Sequence, residues 1–344
     1  MKPLRVNADY EVELFHNRPA PDVINQTIEF FLFFLSDRVL YSKKTYSEDY
    51  LKRVEKITHH KPVITHRGPF ENYWGTLKNL EIEKWWNSKI TSTELIIKEK
   101  WCGKSRILKS IEDLSGLSWD ETYLLKDPYA MSGQKFILLR DIDPIDLKLS
   151  IIEKALHSGP QILEPYFNRR YDFSQYVFPD GAIVAYENLV DAKFQYKGSV
   201  FSNHHSASLT DLSFYSEISA EEWNKFKAQT ERIIQYYTQK PNEVGFSIDS
   251  FVYEENGELK IRVMSEINYR RTMGRVAFEL SKKFAAQNLW TALVLVKVGA
   301  YQNHADILVL SPGDSRFDIL FLKASSVQQG EELLRLTEHS VKRC

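Results

Sequence analysis

The chain has 344 residues, 43% of them hydrophobic and 26% charged, with a formal net charge of −1. That length calls for two or three structural units, and the near-zero charge excludes a broad nucleic-acid or anionic-membrane footprint. Two cysteines, Cys102 and Cys344, exclude a disulfide framework and a cysteine-built zinc site; with no signal-peptide-like start, the expectation is a cytoplasmic protein that does not enter membranes.

Residues 1–85 read as a parallel α/β unit. A short strand is expected at 12–15, a helix over 22–36 opened by Pro21-Asp22, and parallel strands at 39–41 and 62–64 around a helix at 48–56. The apolar run 30–35 is too short to span a bilayer and reads as a buried helix. Residues 86–175 read as an α+β unit: a helix at 92–100, a strand at 122–126, a turn at 127–134 and a strand at 135–139. A helix over 143–158 follows, with a stripe of Leu147, Ile151, Ile152 and Ala155, then a strand at 161–167.

Residues 176–289 carry strands at 182–187 and 193–201, and a helix at 220–239 opened by Ser219, Glu221 and Glu222. A hairpin over 245–268 and a helix at 272–287 complete this unit. Residues 290–344 alternate strands at 292–298, 306–310 and 318–322 with a helix around 331–340. These last strands either pack on the preceding unit or form an oligomer interface, which would make a homodimer.

The hairpin is the most informative segment. Asn256-Gly257 supplies the two φ > 0 positions of a two-residue turn, so Glu255 pairs with Glu258 and Asp249 with Met264. Glu266 and Asn268 are two apart and share a face, Arg270 continues the line, and Asp249 falls on the same face, diagonal to Glu266. Diagonal partners lie roughly 7–8 Å apart, within reach of one bridging cation. Asp249, Glu266 and Asn268 are hard oxygen donors of the kind that suits Mg²⁺ or Mn²⁺.

Two further segments fit a phosphate ligand. Lys126 ends a strand and is followed by a loop with Ser132 and Gly133; the lysine can meet a phosphate as a point charge, and the loop lets backbone N–H groups approach its oxygens. The stretch Glu164-Pro165-Tyr166-Phe167, with Asp172 beyond it, offers acceptors and apolar walls for a nucleoside. Other motifs fail. Gly103-Lys104-Ser105 lacks the first glycine of a P-loop, since Lys98 stands there, and no Gly-x-Gly-x-x-Gly follows a strand. His59-His60 and His204-His205 are adjacent pairs that would point apart on a strand; His204 stays open as a substrate contact, with Trp74-Gly75, Arg169 and Arg170.

Taken in chain order, Asn87-Ser88-Lys89, Lys126 with Ser132-Gly133, Glu164-Pro165-Tyr166-Phe167, and Asp249 with Glu266-x-Asn268-x-Arg270 resemble the ATP-grasp superfamily of ATP-dependent carboxylate–amine and carboxylate–thiol ligases. The resemblance covers about residues 86–285; residues 1–85 match the family's N-terminal substrate-side domain more loosely. It implies an α/β (α+β) fold, with the N-terminal parallel unit followed by two α+β subdomains that hold ATP between them.

By the same resemblance, Lys126 and Lys89 contact the ATP phosphates, Ser132-Gly133 closes over them, and Lys193 adds a phosphate contact. Glu164 and the backbone near Tyr166 and Phe167 hold the adenine, and Asp172 the ribose. Asp249, Glu266 and Asn268 hold Mg²⁺, and Arg270, with Lys126, carries catalysis by stabilising the transferring phosphoryl group or an acyl-phosphate. The implied substrates are a small-molecule carboxylate and an amine or thiol. A small-molecule kinase and a non-catalytic nucleotide-binding protein are the alternatives. The chain departs from family members with glycine-rich lids in having one glycine in the loop after Lys126.

Overall fold

Strands β1 (Leu4–Arg5), β2 (Leu40–Tyr41), β3 (Ile64–Thr65) and β4 (Glu71–Asn72) form a parallel sheet in the order β3-β2-β1-β4. The structure, a computed structural model, describes residues 2–337 apart from 17, 19–20, 103, 130–135, 193 and 240–242. Because the strand order reverses at β1, a crevice opens beyond its C-terminal end. Asn7 sits there, fully buried. Its Oδ1 accepts from the Trp74 backbone N–H (2.9 Å) and its Nδ2 donates to the Gly75 carbonyl (3.0 Å), so the loops after β1 and β4 move as one piece.

Two local expectations are corrected in this unit. Residues 12–15 are not a strand but part of helix α1 (Tyr10–His16). Tyr10 and Leu14, four apart, face the core, while Glu11 and Glu13 are buried in ion pairs; so short a run fits either period. The helix expected over 22–36 is broken into α2 (Asp22–Gln26), a 3₁₀ turn at Glu29–Phe31 and α3 (Leu32–Leu35). Thr27 Oγ1 donates to the Ile24 carbonyl (2.6 Å) and Asn25 Oδ1 accepts from the Ala8 N–H (2.8 Å), local bonds that compete with helical pairing. Helix α4 (Glu48–Thr58) is as expected, capped by Ser47.

The middle of the chain carries α5 (Leu80–Asn87), α6 (Lys89–Lys98), β5 (Arg106–Leu108), β6 (Tyr123–Lys126), β7 (Phe136–Leu138), α7 (Ile145–Leu156) and β8 (Gln161–Pro165). Its antiparallel sheet has the order β5-β8-β6-β7, with Ile152 of α7 buried against Leu108, Leu125 and Leu163. Helix α5 and strand β5 are not among the sequence expectations. Ser88 closes α5 and caps α6, its hydroxyl accepting from the Ile90 N–H (3.2 Å), which sets Lys89 in the first turn of α6.

An eight-stranded sheet forms the rest: β9 (Arg169–Val177), β10 (Ile183–Val190), β11 (Tyr196–Phe201), β12 (Phe246–Glu255), β13 (Glu258–Asn268), β14 (Trp290–Val296), β15 (Ile307–Val309) and β16 (Asp318–Ala324), in the order β13-β12-β9-β10-β11-β14-β16-β15. Helix α8 (Ala220–Tyr237) covers one face with Trp223, Phe226, Ile233 and Tyr237. Helix α9 (Met273–Phe284) and the N-terminal unit cover the other, where Val276 and Leu280 meet Phe30 and Phe34. Strands β14, β15 and β16 extend this same sheet. Helix α10 (Val327–Arg335) begins earlier than the sequence suggests, because Ser326 caps it. Among the described residues, no helix is long and apolar enough to cross a membrane. A parallel α/β unit followed by antiparallel α+β layers is the expected fold class.

The hairpin register differs from the expected one. Glu255 pairs with Glu258, and the pairing holds to Phe251 opposite Arg262. Beyond that point Asp249 pairs with Glu266, not Met264, because residues 263–265 oppose Ser250 alone. Ser250 Oγ donates to the Val263 carbonyl (2.7 Å) and Ser265 Oγ to the Asp249 carbonyl (3.1 Å), which pins the bulge. The two acids stand directly opposite, closer than a diagonal pair.

Candidate active site

A cleft of about 340 Å³ lies between the small and the large antiparallel sheets, with the N-terminal unit at one end. Lys89, Lys126, Asp172, Asp249, Glu266, Asn268 and Arg270 all line it. Lys89 comes from α6, Lys126 from the end of β6, Asp172 from β9, Asp249 from β12, and Glu266 and Asn268 from β13. The walls beside β6 and β7 are apolar, with Leu124, Phe136, Val190 and Phe194; Ala8, Ile28 and Trp74 stand near the N-terminal unit. Ser132, Gly133 and Lys193 lie outside the described residues.

Asp249 is the hub of the polar floor. Its Oδ1 accepts from Ser247 Oγ (2.6 Å) and Ser174 Oγ (2.7 Å), and its Oδ2 from Asn268 Nδ2 (2.7 Å). Asn188 Nδ2 donates in turn to Ser174 Oγ (2.6 Å). Enclosure, and then the charge of Glu266 opposite, push the Asp249 carboxyl above the usual aspartate range. Lys89 Nζ lies 3.1 Å from Glu266 Oε1. Among the described residues, no group of three or more His, Cys, Asp or Glu side chains is arranged to hold a metal. The set here is two carboxylates and an amide. These are hard donors that fit Mg²⁺ or Mn²⁺ with remaining positions left to water or phosphate oxygens, and a cation between the two acids would relieve their repulsion.

Glu164 does not line this cleft. It lies behind Lys126 and bonds to that ammonium through one oxygen, while Arg262 Nη2 lies 3.5 Å from the other. Burial alone would raise its carboxyl, but Lys126 and Arg262 outweigh burial and hold it below the usual glutamate range. Tyr166 and Phe167 line a separate cleft of about 620 Å³, where Arg262 lies over the Phe167 ring. Asp172 accepts from Arg169 Nη1 (3.0 Å), whose guanidinium lies 4.0 Å from the centre of the Phe251 ring.

Arg270 closes the charged end. Its Nη2 donates to Asn268 Oδ1 (2.9 Å), its Nη1 to the Arg271 carbonyl (3.2 Å), and its Nε to Glu11 of α1. Burial opposes its charge, but Glu11, Glu266 and Asp249 outweigh that and strengthen its hold on its proton. Beside it, Thr272 caps α9, and Met273 and Gly274 of the first turn line the cleft. A Cβ at 274 would stand 2.1 Å from the Tyr186 ring, so only glycine lets α9 approach this closely.

Glu11, Ser174, Asn188 and Ser247 are site residues that sequence reasoning missed. Ser247 was within reach, being two residues before Asp249 on one strand face. Ser174 and Asn188 needed the β9–β10 pairing, whose signal is the turn Pro179-Asp180-Gly181. No local signal links Glu11 to Arg270.

Three sheets in this arrangement around a cleft of lysines and paired acids are the ATP-grasp fold. Among solved structures, the chain is similar to N5-carboxyaminoimidazole synthetase from Staphylococcus aureus complexed with ADP, with 13% identity, 87% of this chain and 85% of that chain covered, and a TM-score of 0.50. It is also similar to the biotin carboxylase domain dimer of 2-oxoglutarate carboxylase from Hydrogenobacter thermophilus, in complex with MgADP, ADP and bicarbonate. There the identity is 12%, the coverage 97% and 84%, and the TM-score 0.52. No protein-family model and no curated protein matches the sequence.

Proposed function

We propose that this protein is an ATP- and Mg²⁺-dependent ligase that activates a small-molecule carboxylate as an acyl-phosphate for attack by an amine or thiol. The observation that carries this reading is the meeting of two lysines, two opposed acids with an amide, and a buried arginine in one cleft between two sheets. The likeness to structures that hold ADP, or MgADP with bicarbonate, supports it at the level of the fold.

In this reading residues 1–85 are the substrate-side unit, 86–175 and 176–289 the two ATP-holding subdomains, and 290–344 an extension. Lys126 and Lys89 meet the phosphates; Glu164, bonded to Lys126, orients it. Lys89 leaves Glu266 for phosphate when a cation takes that acid. Ser132, Gly133 and Lys193 add phosphate contacts. Leu124, Phe136, Val190 and Phe194 border the adenine in place of Tyr166 and Phe167, which line the separate cleft, and Asp172 faces the ribose. Asp249, Glu266 and Asn268 would hold Mg²⁺, which supplies charge neutralisation on the phosphate oxygens.

The carboxylate oxygen attacks the γ-phosphorus and ADP leaves. The amine or thiol then forms a bond to the acyl carbon, and phosphate leaves with the electrons of the broken C–O bond. Arg270 has two of its five N–H donors uncommitted among the described residues, enough for an anion held at the cleft end. A screen of carboxylic acids with amines and thiols for ADP release, with mass spectrometry of products, tests the reading. A joined acyl product supports it. A phosphorylated product formed without nucleophile makes the protein a kinase, and no turnover or nucleotide binding in any mixture removes both.

A further inference from the structure

A third cleft, of about 730 Å³, lies between α1, the chain before β2, and the loop that leads into β16. Asp9 lines it. This residue is 6% exposed, and among the described residues its carboxylate has no hydrogen-bond or ion-pair partner. The two acids that follow it on α1 are both engaged, Glu11 by Arg270 and Glu13 by Arg5. Asp9 alone is left over.

We propose that Asp9 is the recognition residue for a primary ammonium group, and that this cleft takes a zwitterionic amino acid with an apolar side chain. An acid that has no partner among the described residues and keeps solvent contact at a cleft is open to a cationic ligand. Burial first, then Glu11 and Glu13, push its carboxyl up, with His16 opposing, and a bound ammonium would reverse that. The same cleft holds His16, Lys44 and Arg316. Lys44 is bonded to Asp314 (2.9 Å), whereas Arg316 has no ion-pair partner among the described residues. An unpaired acid and an unpaired arginine in one cleft match the two ends of a zwitterion. Val12, Ile24 and Phe317 supply apolar wall in the same cleft for the side chain.

Placement ties this cleft to the first. Ala8 and Ile28 line the charged cleft, and their chain neighbours Asp9 and Thr27 line this one. An amine held at Asp9 would stand across these two chain segments from the charged cleft. The consequence for catalysis rests on the ligase reading; the binding site does not. The proposal also gives residues 311–317, between the last two strands, a role in substrate recognition.

The test is calorimetry on the full chain without nucleotide, using L-leucine, L-phenylalanine and the deaminated analogue 4-methylpentanoate. The two amino acids bind and 4-methylpentanoate does not. Asp9→Asn weakens L-leucine about tenfold or more, the scale of a lost charged hydrogen bond, and Arg316→Ala, at an exposed position, also weakens it. Both variants keep Mg-ATP binding. Glu266→Gln keeps L-leucine binding even if it loses nucleotide, so failure of the ligase reading shows separately. If neither amino acid binds the wild-type chain, or if 4-methylpentanoate binds as tightly as L-leucine, Asp9 is simply a solvated acid beside α1 and the proposal is overturned.

Discussion

Arg270 donates its Nε hydrogen to Oε1 of Glu11, a residue 259 positions earlier in the chain. The second oxygen of Glu11 is buried and has no hydrogen-bond partner among the described residues. The grip is thus one oxygen on the Nε edge, while Asn268 and the Arg271 carbonyl take one hydrogen from each terminal nitrogen. A neighbouring relay, Tyr10 to Glu83 (2.6 Å), Asn87 to Tyr10 (3.3 Å) and the Tyr269 N–H to Asn87 (3.0 Å), fixes α1 to the end of β13. The N-terminal unit therefore sets where the arginine points.

Glu11→Ala should lower kcat for ADP release by about 100-fold, the effect of a small misplacement of a group that acts on the reacting centre, while KM for ATP changes little. Glu11→Gln, which keeps one acceptor oxygen, should lose less. Steady-state kinetics checks this; a large rise in KM for ATP with kcat intact would mean that Glu11 serves nucleotide binding instead.

Glu266→Gln removes a carboxylate from the proposed metal site but keeps its size. Substrate-dependent ADP release should vanish, and the rise in melting temperature given by Mg-ATP should disappear, while the far-UV spectrum is retained. Lys89 also loses one ion pair, so basal stability should change by no more than about 1 kcal/mol, the range of partly exposed pairs. Wild-type-like turnover in this variant would remove Glu266 from the metal site.

How much of this was legible in the sequence follows from which signals are local. The turn Asn256-Gly257 and period-2 alternation put Asp249, Glu266 and Asn268 on one face, and the structure keeps them there. The bulge opposite Ser250 was not legible, because it rests on two serine-to-carbonyl bonds that no residue pattern announces. The pairing of Arg169–Val177 with Ile183–Val190 has a local signal in Pro179-Asp180-Gly181, but the charged start Arg169-Arg170 carries no strand pattern. Glu11-Val12-Glu13-Leu14 imitates a strand because its acids are buried by partners outside the segment, Arg5 nearby and Arg270 far away. Propensity reads a residue's own preference, and a partner 259 positions away overrides it.

Glu164 holds two cations at once, Lys126 and Arg262, behind the cleft wall. Its removal leaves two buried positive charges facing each other. Glu164→Ala should therefore lower the unfolding free energy by about 3–5 kcal/mol, the usual result of breaking a buried pair from one side. Urea denaturation with an unchanged m-value checks it. A loss under about 1 kcal/mol would mean that water already screens the trio.

In the proposed metal site, Asp249 is held at a cost to the fold that a bound cation would relieve. Its carboxyl is raised above 3.8 by enclosure and by Glu266. A higher proton affinity folded than unfolded means that the folded chain holds more protons just above that range, so this group's contribution to stability falls as pH rises through its folded value. Asp249→Asn should then raise the melting temperature in EDTA at neutral pH, and the advantage should shrink as pH is lowered toward the ordinary aspartate range. Mg²⁺ should reverse the order: it stabilises the wild type, and less so at lower pH because protons compete for the same oxygens, but it leaves the variant unchanged. Melting curves across pH, with and without Mg²⁺, measure both effects. A variant less stable than wild type in EDTA at every pH would show that the bonds from Ser174, Ser247 and Asn268 outweigh the buried charge, and the metal-site argument from repulsion would fail with it.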